Sequence, residues 1–157
     1  MSLAVLQFGD KLGLGVHDRV GELGVTVAEA LLATHRSYLG VLRPQLPTGR
    51  IKGMAHITGG GITDNLPRVL PDGTEAVVRR GSWPVPPLFQ WLQHAGGVPQ
   101  DDMLRTFNMG VGMILVVSAT DSSATLAALA AAGEPGATVI GAIERSSATA
   151  PRVRYQG

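Results

Sequence analysis

The sequence predicts an α+β domain in which a mixed β-sheet is packed by helices. The apolar run 111–117 has the length and β-branching typical of a central strand that is buried on both faces. The alanine-rich segment 122–132 predicts a helix that Asp121 or Ser122 caps and that Gly133 ends. Predicted strands and helices alternate irregularly along the chain, which favours α+β over a regular βαβ order.

The chain begins with a glycine-rich stretch. Glycines at 9, 13, 15, 21 and 24 disfavour a regular element, so we expect residues 1–25 to be loose or to be the remnant of an interdomain region. A helix is predicted over 26–32, because Thr26 can cap it and Glu29 occupies the capping-box position. The remainder reads as one domain, so a single domain over 1–157 is expected.

The other elements follow from periodicity, prolines and glycines. Pro67 falls inside a predicted helix, so this helix should be distorted or should start late. Further helices are predicted over 41–46, 62–70, 86–95 and 99–106, and strands over 51–57, 75–80, 137–143 and 151–155.

Composition excludes several functional classes. With 45% hydrophobic residues the chain can bury a core, and a net charge of +1 argues against a nucleic-acid or membrane partner. The eleven arginines are scattered rather than clustered. The absence of cysteine excludes a disulfide scaffold and thiolate metal sites, and is compatible with a cytoplasmic protein. No apolar run is long enough to cross a bilayer, and no metal-ligand spacing is present.

The segment AHITGGGITDNLPR, residues 55–68, is the main candidate site. Its three glycines, Gly59, Gly60 and Gly61, stand between a strand and a helix, where backbone N–H groups can approach an anion. His56 can exchange a proton near neutral pH. The alternatives stay open: the glycines can simply form a flexible turn, and His56 can be a hydrogen-bonded structural histidine.

Three polar residues complete the set of candidates. Asn65 and Arg68 are three positions apart, so on a helix they would share one face. Asn65 could orient a polar group, and Arg68 could pair with a phosphate. Asn108 precedes the apolar run 111–117 and could either hold its own loop or face a ligand.

The segment 54–68 resembles a signature of the phosphoribosylformylglycinamidine cyclo-ligase (aminoimidazole ribonucleotide synthetase) family. Two further stretches agree in the same order, RGSWPVPP at 80–87 and FNMGVGM at 107–113. The resemblance implies the fold of this family's C-terminal domain. It also implies an N-terminal domain elsewhere that carries most of the ATP and Mg²⁺ site, and a homodimer for the complete protein.

The resemblance also implies an activity, the ATP-dependent closure of the imidazole ring of formylglycinamidine ribonucleotide in purine biosynthesis. His56 would assist proton movement at the formyl or amidine end of the substrate. Gly59, Gly60, Gly61, Asn65, Arg68 and Asn108 would bind substrate or phosphate. We expect the domain alone to be inactive. The rival interpretation is a stand-alone binding or structural domain that has the same fold without the chemistry.

Overall fold

The computed structural model describes residues 12–147 and 152–157, and within them it contains seven strands and six α-helices. The strands are β1 (Arg19–Val20), β2 (Val25–Thr26), β3 (Ile51–His56), β4 (Thr74–Arg79), β5 (Met113–Val117), β6 (Gly141–Arg145) and β7 (Val153–Gln156). The helices are α1 (Val27–Leu31), α2 (Leu39–Leu42), α3 (Gly61–Asn65), α4 (Pro87–Gly96), α5 (Gln100–Thr106) and α6 (Ser122–Ala131).

A three-stranded mixed sheet confirms the predicted fold class. Its order is β6-β4-β7, with β4 antiparallel to β6 and parallel to β7. The register pairs Val78 with Gly141 on one side of β4 and with Tyr155 on the other. A Cβ on Gly141 would lie 2.1 Å from the carbonyl oxygen of Val77, so only glycine fits this close approach between strands.

A second, two-stranded sheet carries the candidate site. Strand β3 runs antiparallel to β5, with Met54 opposite Leu115 and His56 opposite Met113. The expectation that 111–117 forms a central strand buried on both faces is wrong. Among the described residues β5 pairs only with β3, and Ile114 is its single buried residue. The apolar run marks a strand, but it cannot say how many neighbours that strand has.

The predicted start of the first helix is confirmed in atomic detail. Thr26 is the N-cap of α1, and its hydroxyl accepts a hydrogen bond from the Glu29 N–H. The Glu29 carboxylate accepts in return from the Thr26 N–H at 2.8 Å. The Thr26 hydroxyl also donates to this carboxylate at 3.0 Å, and the two bonds donated by the backbone N–H and the hydroxyl of Thr26 lower the pKa of Glu29. The capping box thus fixes where the helix begins.

Proline divides the helix predicted over 62–70. Helix α3 ends at Asn65, and a 3₁₀ turn over Leu66–Val69 follows, with Pro67 in its first turn. Proline has no N–H to donate to the preceding turn, so the α-helical pattern cannot continue through it. Helix α3 is therefore only five residues long. The dipole of so short a helix contributes little to the attraction of an anion at its N-terminus.

Other expectations are corrected in part. Residues 12–25, expected to lack regular structure, contain β1 and the first residue of β2, and the two strands pair with Arg19 opposite Thr26. Residues 1–11 of that expectation lie outside the described residues, as does Pro151 at the start of the last predicted strand. Asp121 is the N-cap of α6, but its side chain makes no capping bond and accepts from the Ser118 hydroxyl instead.

Two clusters of buried side chains form the core. The first joins the sheets to α3 and contains Ile57 and Ile62, which are 0% and 1% exposed. The second joins β1, α1, α4 and α5 and contains Met103, which is also 0% exposed. Ile57 and Ile62 flank the glycine segment on both sides, so burial of these two side chains anchors that segment to the core. None of the helices in the described residues is long and apolar enough to span a bilayer.

Candidate functional site

His56 lies at the end of β3, with its side chain on the exposed face of the sheet. Strand alternation places Ala55 and Ile57 in the core and Met54 and His56 outside. Met113, opposite His56 on β5, lines the same outer face. His56 is thus solvent-exposed and able to meet a ligand, which a histidine buried in the core could not do.

A groove of about 390 Å³ lies over this face of the sheet. One wall is formed by the segment that leads into α2, by α2 itself and by the residues that follow α2. The other wall is formed by β3 and β5. Most of its lining is apolar. The lining residues are His35, Arg36, Tyr38, Leu39, Leu42, Arg43, Leu46, Met54, His56 and Met113. Of the seven predicted site residues, only His56 lines this groove.

Three rings form a cluster at one end of the groove. The Nε2 atoms of His35 and His56 are 2.9 Å apart, which is hydrogen-bonding distance. The Tyr38 ring stands edge-on to both imidazoles, with centroids 6.1 Å from His35 and 6.3 Å from His56. A Cβ on Gly112 would lie 2.0 Å from the Tyr38 hydroxyl oxygen, so glycine leaves room for this ring. The three rings therefore pack against one another and stabilise one another's positions.

The three glycines form a tight turn, and each is held differently. The Gly61 N–H donates to the carbonyl of Thr58 at 3.1 Å, and Gly60 adopts φ 96° and ψ −6°, close to the third position of a type II turn. The expectation that all three N–H groups are available to a ligand is therefore corrected for Gly61. The N–H groups of Gly59 and Gly60 have no acceptor among the described residues.

The Asn65 side chain holds this turn from the protein interior. It is 5% exposed, and its Nδ2 donates to the carbonyls of Gly59 at 3.1 Å and Gly61 at 2.8 Å. Arg68 is exposed, beyond the end of α3. The two residues thus differ in burial and do not share one helical face. Asn65 shapes the glycine turn, and Arg68 is available to solvent.

Replacing Asn65 with leucine is expected to lower the free energy of unfolding by about 1–3 kcal/mol, because two carbonyls of the glycine turn lose their buried donor. Urea denaturation followed by circular dichroism measures the change. Arg68→Ala is the matched control and should fall within about 0.5 kcal/mol of the wild type. Equal midpoints for the two variants would contradict the role of Asn65 in holding the turn.

Asn108 holds its own loop, which is one of the two interpretations that the sequence left open. Its Oδ1 accepts from the Gly110 N–H at 3.0 Å, and its carbonyl accepts from the Val111 N–H at 2.9 Å. Between them Met109 and Gly110 both have positive φ, 51° and 95°, as a type I′ turn requires. The Trp83 indole N–H donates to the Met109 carbonyl at 3.0 Å. Sequence reasoning missed this contact.

The three resemblance segments meet in space. The Ile57 N–H donates to the Gly112 carbonyl at 2.9 Å, which joins the first segment to the third. A Cβ on Gly61 would lie 2.8 Å from the Phe107 carbonyl oxygen, a second close approach between the same two segments. Trp83 of the middle segment binds Met109 of the third. Segments that are far apart in sequence thus build one continuous structure.

A second, more polar depression of about 380 Å³ is lined by Thr63, Arg80, Asp101 and Tyr155, among others. Burial raises the pKa of Tyr155, while its hydrogen bond with Thr63 and the charge of Arg80 act in the opposite direction. The Arg80 guanidinium lies 5.6 Å from the centre of the Tyr155 ring and pairs with Asp101. These charged groups satisfy one another, as in a structural network.

Across residues 12–147 and 152–157, no group of three or more His, Asp or Glu side chains is placed to hold a metal ion. These residues therefore offer no site in which protein side chains alone would enclose Mg²⁺, an ion that is usually held by one or two carboxylates together with substrate phosphates.

A family model and individual relatives of known name agree on the family that this chain resembles. The family model described as "AIR synthase related protein, C-terminal domain" matches residues 6–154. A protein of Methylobacillus flagellatus named phosphoribosylformylglycinamidine cyclo-ligase is 52% identical over 106 residues, 68% of this chain and 31% of its own length. Proteins of the same name from Citrifermentans bemidjiense and Desulfatibacillum aliphaticivorans are 42% and 40% identical over 94% and 99% of this chain.

The chain spans less than half the length of these relatives: 42% of the Citrifermentans protein and 44% of the Desulfatibacillum protein.

Proposed function

The chain belongs to the AIR synthase related protein family, whose C-terminal domain it matches, and we propose that it forms the substrate side of an ATP-dependent cyclo-ligase. The complete enzyme would convert formylglycinamidine ribonucleotide to aminoimidazole ribonucleotide in purine biosynthesis. The names of the relatives support the ligase activity, and the share of their length that the chain spans supports a role for it as one of two domains.

The convergence of the three segments is the observation that carries the proposal. Hydrogen bonds and close backbone approaches join the glycine turn, the Trp83 segment and the Asn108 loop. The Ile57 N–H bond to the Gly112 carbonyl then places the end of the Asn108 loop beside the end of β3, where His56 is exposed. Such a meeting of loops on a rigid sheet is the usual architecture of a substrate site.

Each residue has a role in the proposal that follows from its position. His56 would receive or deliver a proton at the formyl or amidine end of the substrate. Gly59 and Gly60 would present their N–H groups to substrate or phosphate, and Arg68 would add a guanidinium for bidentate pairing. Asn65 and the turn-forming Asn108 would keep the glycine turn and the Asn108 loop in place. Gly61 would permit the close packing of the glycine turn.

The chemistry requires an activated oxygen, because an amide oxygen is a poor leaving group. ATP, with Mg²⁺, would supply the phosphoryl group that activates it. The described residues contain no group of three or more side chains placed to hold a metal ion, and no step is assigned to the metal on this chain. In the proposal the nucleotide and metal belong mainly to an N-terminal domain, which is also the principal partner. The complete enzyme would be a homodimer in the cytoplasm.

A ring-closure assay tests this function. The chain is incubated with formylglycinamidine ribonucleotide, ATP and Mg²⁺, first alone and then with a separately expressed N-terminal domain of a close relative. Product in the mixture but not with the chain alone is the expected result. Turnover by the chain alone would overturn the assignment of the ATP site to another domain.

Calorimetric titration of the chain with formylglycinamidine ribonucleotide gives a readout that does not depend on docking of the two domains. Binding without turnover would support the substrate side of the proposal. A folded chain that neither binds the substrate nor supports turnover in the mixture would favour the rival interpretation, a non-catalytic domain of the same fold.

A further inference from the structure

His35 and His56 form a pair that the sequence does not reveal, because 21 positions separate them. Their ring centroids are 5.0 Å apart and the ring planes meet at 61°, so the rings contact edge to face rather than stack. The contact joins the two Nε2 atoms at 2.9 Å. A hydrogen bond at this distance needs one nitrogen with a proton and one without. The tautomer of each ring therefore constrains the tautomer of the other.

We propose that His35 is a positioning residue for His56 and holds the His56 ring through this Nε2–Nε2 bond. The two imidazoles then accept one proton as a unit, and His56 acts on substrate through Nδ1. The Nδ1 atom of His56 has no hydrogen-bond partner among the residues that the structure describes. It is therefore the nitrogen left for a ligand. The chemistry assigned to Nδ1 rests on the proposed function, whereas the pairing rests on geometry alone.

The surroundings of the pair favour a single shared proton over two. Arg36, Tyr38 and Arg43 line the same groove, and Lys52 lies further along the exposed side of β3. Glu134 reaches this region only through its ion pair with Arg36. Two imidazolium ions at hydrogen-bonding distance would repel each other, and nearby cations would add to this repulsion. One proton can be shared without breaking the bond.

The positions of both rings are fixed from several sides. His56 is held by the backbone of β3 and its register with Met113. His35 precedes α2 on an exposed segment, and the Tyr38 ring packs against both imidazoles. Because Gly112 leaves space for the Tyr38 hydroxyl, the packing of Tyr38 depends on the residue directly before β5 as well as on β3. His35 thus links a surface segment to the end of the strand that carries His56.

Nuclear magnetic resonance of the ¹⁵N-histidine-labelled chain tests the pairing directly. Between about pH 5 and about pH 9 we expect the ring ¹⁵N shifts of His35 and His56 to move together in the first protonation step. In His35→Gln the amide can still donate to His56 Nε2 but cannot take a proton. His56 should then titrate alone, and the coupled step should be lost. His94→Gln is the matched control, because His94 is exposed on α4 and its imidazole has the Gln90 carbonyl as its hydrogen-bond partner among the described residues. It should leave the pair's titration unchanged.

Identical His56 titration curves and tautomers in wild type and His35→Gln would overturn the proposal. Independent titration of the two rings in the wild type would do so as well. Should His35→Gln fail to fold, His56→Gln gives the reciprocal measurement on His35. Calorimetry with formylglycinamidine ribonucleotide separates the two hypotheses. Coupled titration in a chain that neither binds the substrate nor supports turnover in the mixture would contradict the proposed function and leave the pairing intact. Substrate binding without coupled titration would refute the pairing and leave the proposed function intact.

Discussion

Replacing His56 with alanine is expected to lower kcat for ring closure by a factor of about 10²–10⁴, the usual contribution of a positioned acid or base. The measurement is steady-state kinetics of the chain mixed with the separately expressed N-terminal domain of a close relative. Because His56 is exposed and its backbone is held by β3, the fold should remain intact. KM should change less than kcat, since the lost interaction belongs to the transition state.

His94→Ala is the control for this experiment, because His94 is an exposed histidine of α4 that does not line the groove. It should retain wild-type kinetics. A rise in KM at unchanged kcat in His56→Ala would limit His56 to substrate binding. Wild-type kcat and KM in the same variant would remove His56 from the mechanism.

Local sequence signals predicted the local features of the fold well. The capping box of Thr26 and Glu29 was predicted from their spacing and is present, because both of its hydrogen bonds lie within one turn. Strand β3 was also predicted, since it ends where the glycines begin. Strand β5 was found but wrongly described as central. The number of its neighbours depends on pairing between distant segments, which an apolar run does not encode.

In the candidate site, too, local features could be predicted from the sequence, whereas contacts between distant segments could not. The glycine turn could be located from composition, and positive φ at Gly60 and Gly61 agrees with the reason that glycine was expected there. The inward orientation of Asn65 could not be foreseen, because Pro67 changes the geometry directly after it. The His35–His56 contact joins a surface segment to a strand end, and no periodicity relates them. The Asn-x-Gly pattern at 108–110 was the one local signal that could have indicated the tight turn at Met109.

The glycine turn offers a way to separate what packing requires from what a ligand requires. Gly61 has φ 58°, and a Cβ there would lie 2.0 Å from the Leu104 carbonyl oxygen, a backbone atom that cannot rotate away. A Cβ on Gly59 would meet no heavy atom within 4 Å, and the φ of Gly59 is not left-handed. Packing alone therefore explains glycine at 61, whereas it leaves glycine at 59 unexplained.

Gly61→Ala is accordingly expected to lower the free energy of unfolding by about 2–5 kcal/mol, from left-handed strain and overpacking together. Gly59→Ala should leave it unchanged or raise it by up to about 1 kcal/mol. Urea midpoints at equal m-values measure both. Equal midpoints would refute the close approach of Leu104 to Gly61. Calorimetry then measures the affinity of the Gly59→Ala chain for formylglycinamidine ribonucleotide. If this chain is stable but binds the substrate more weakly, the ligand, and not the fold, requires glycine at 59.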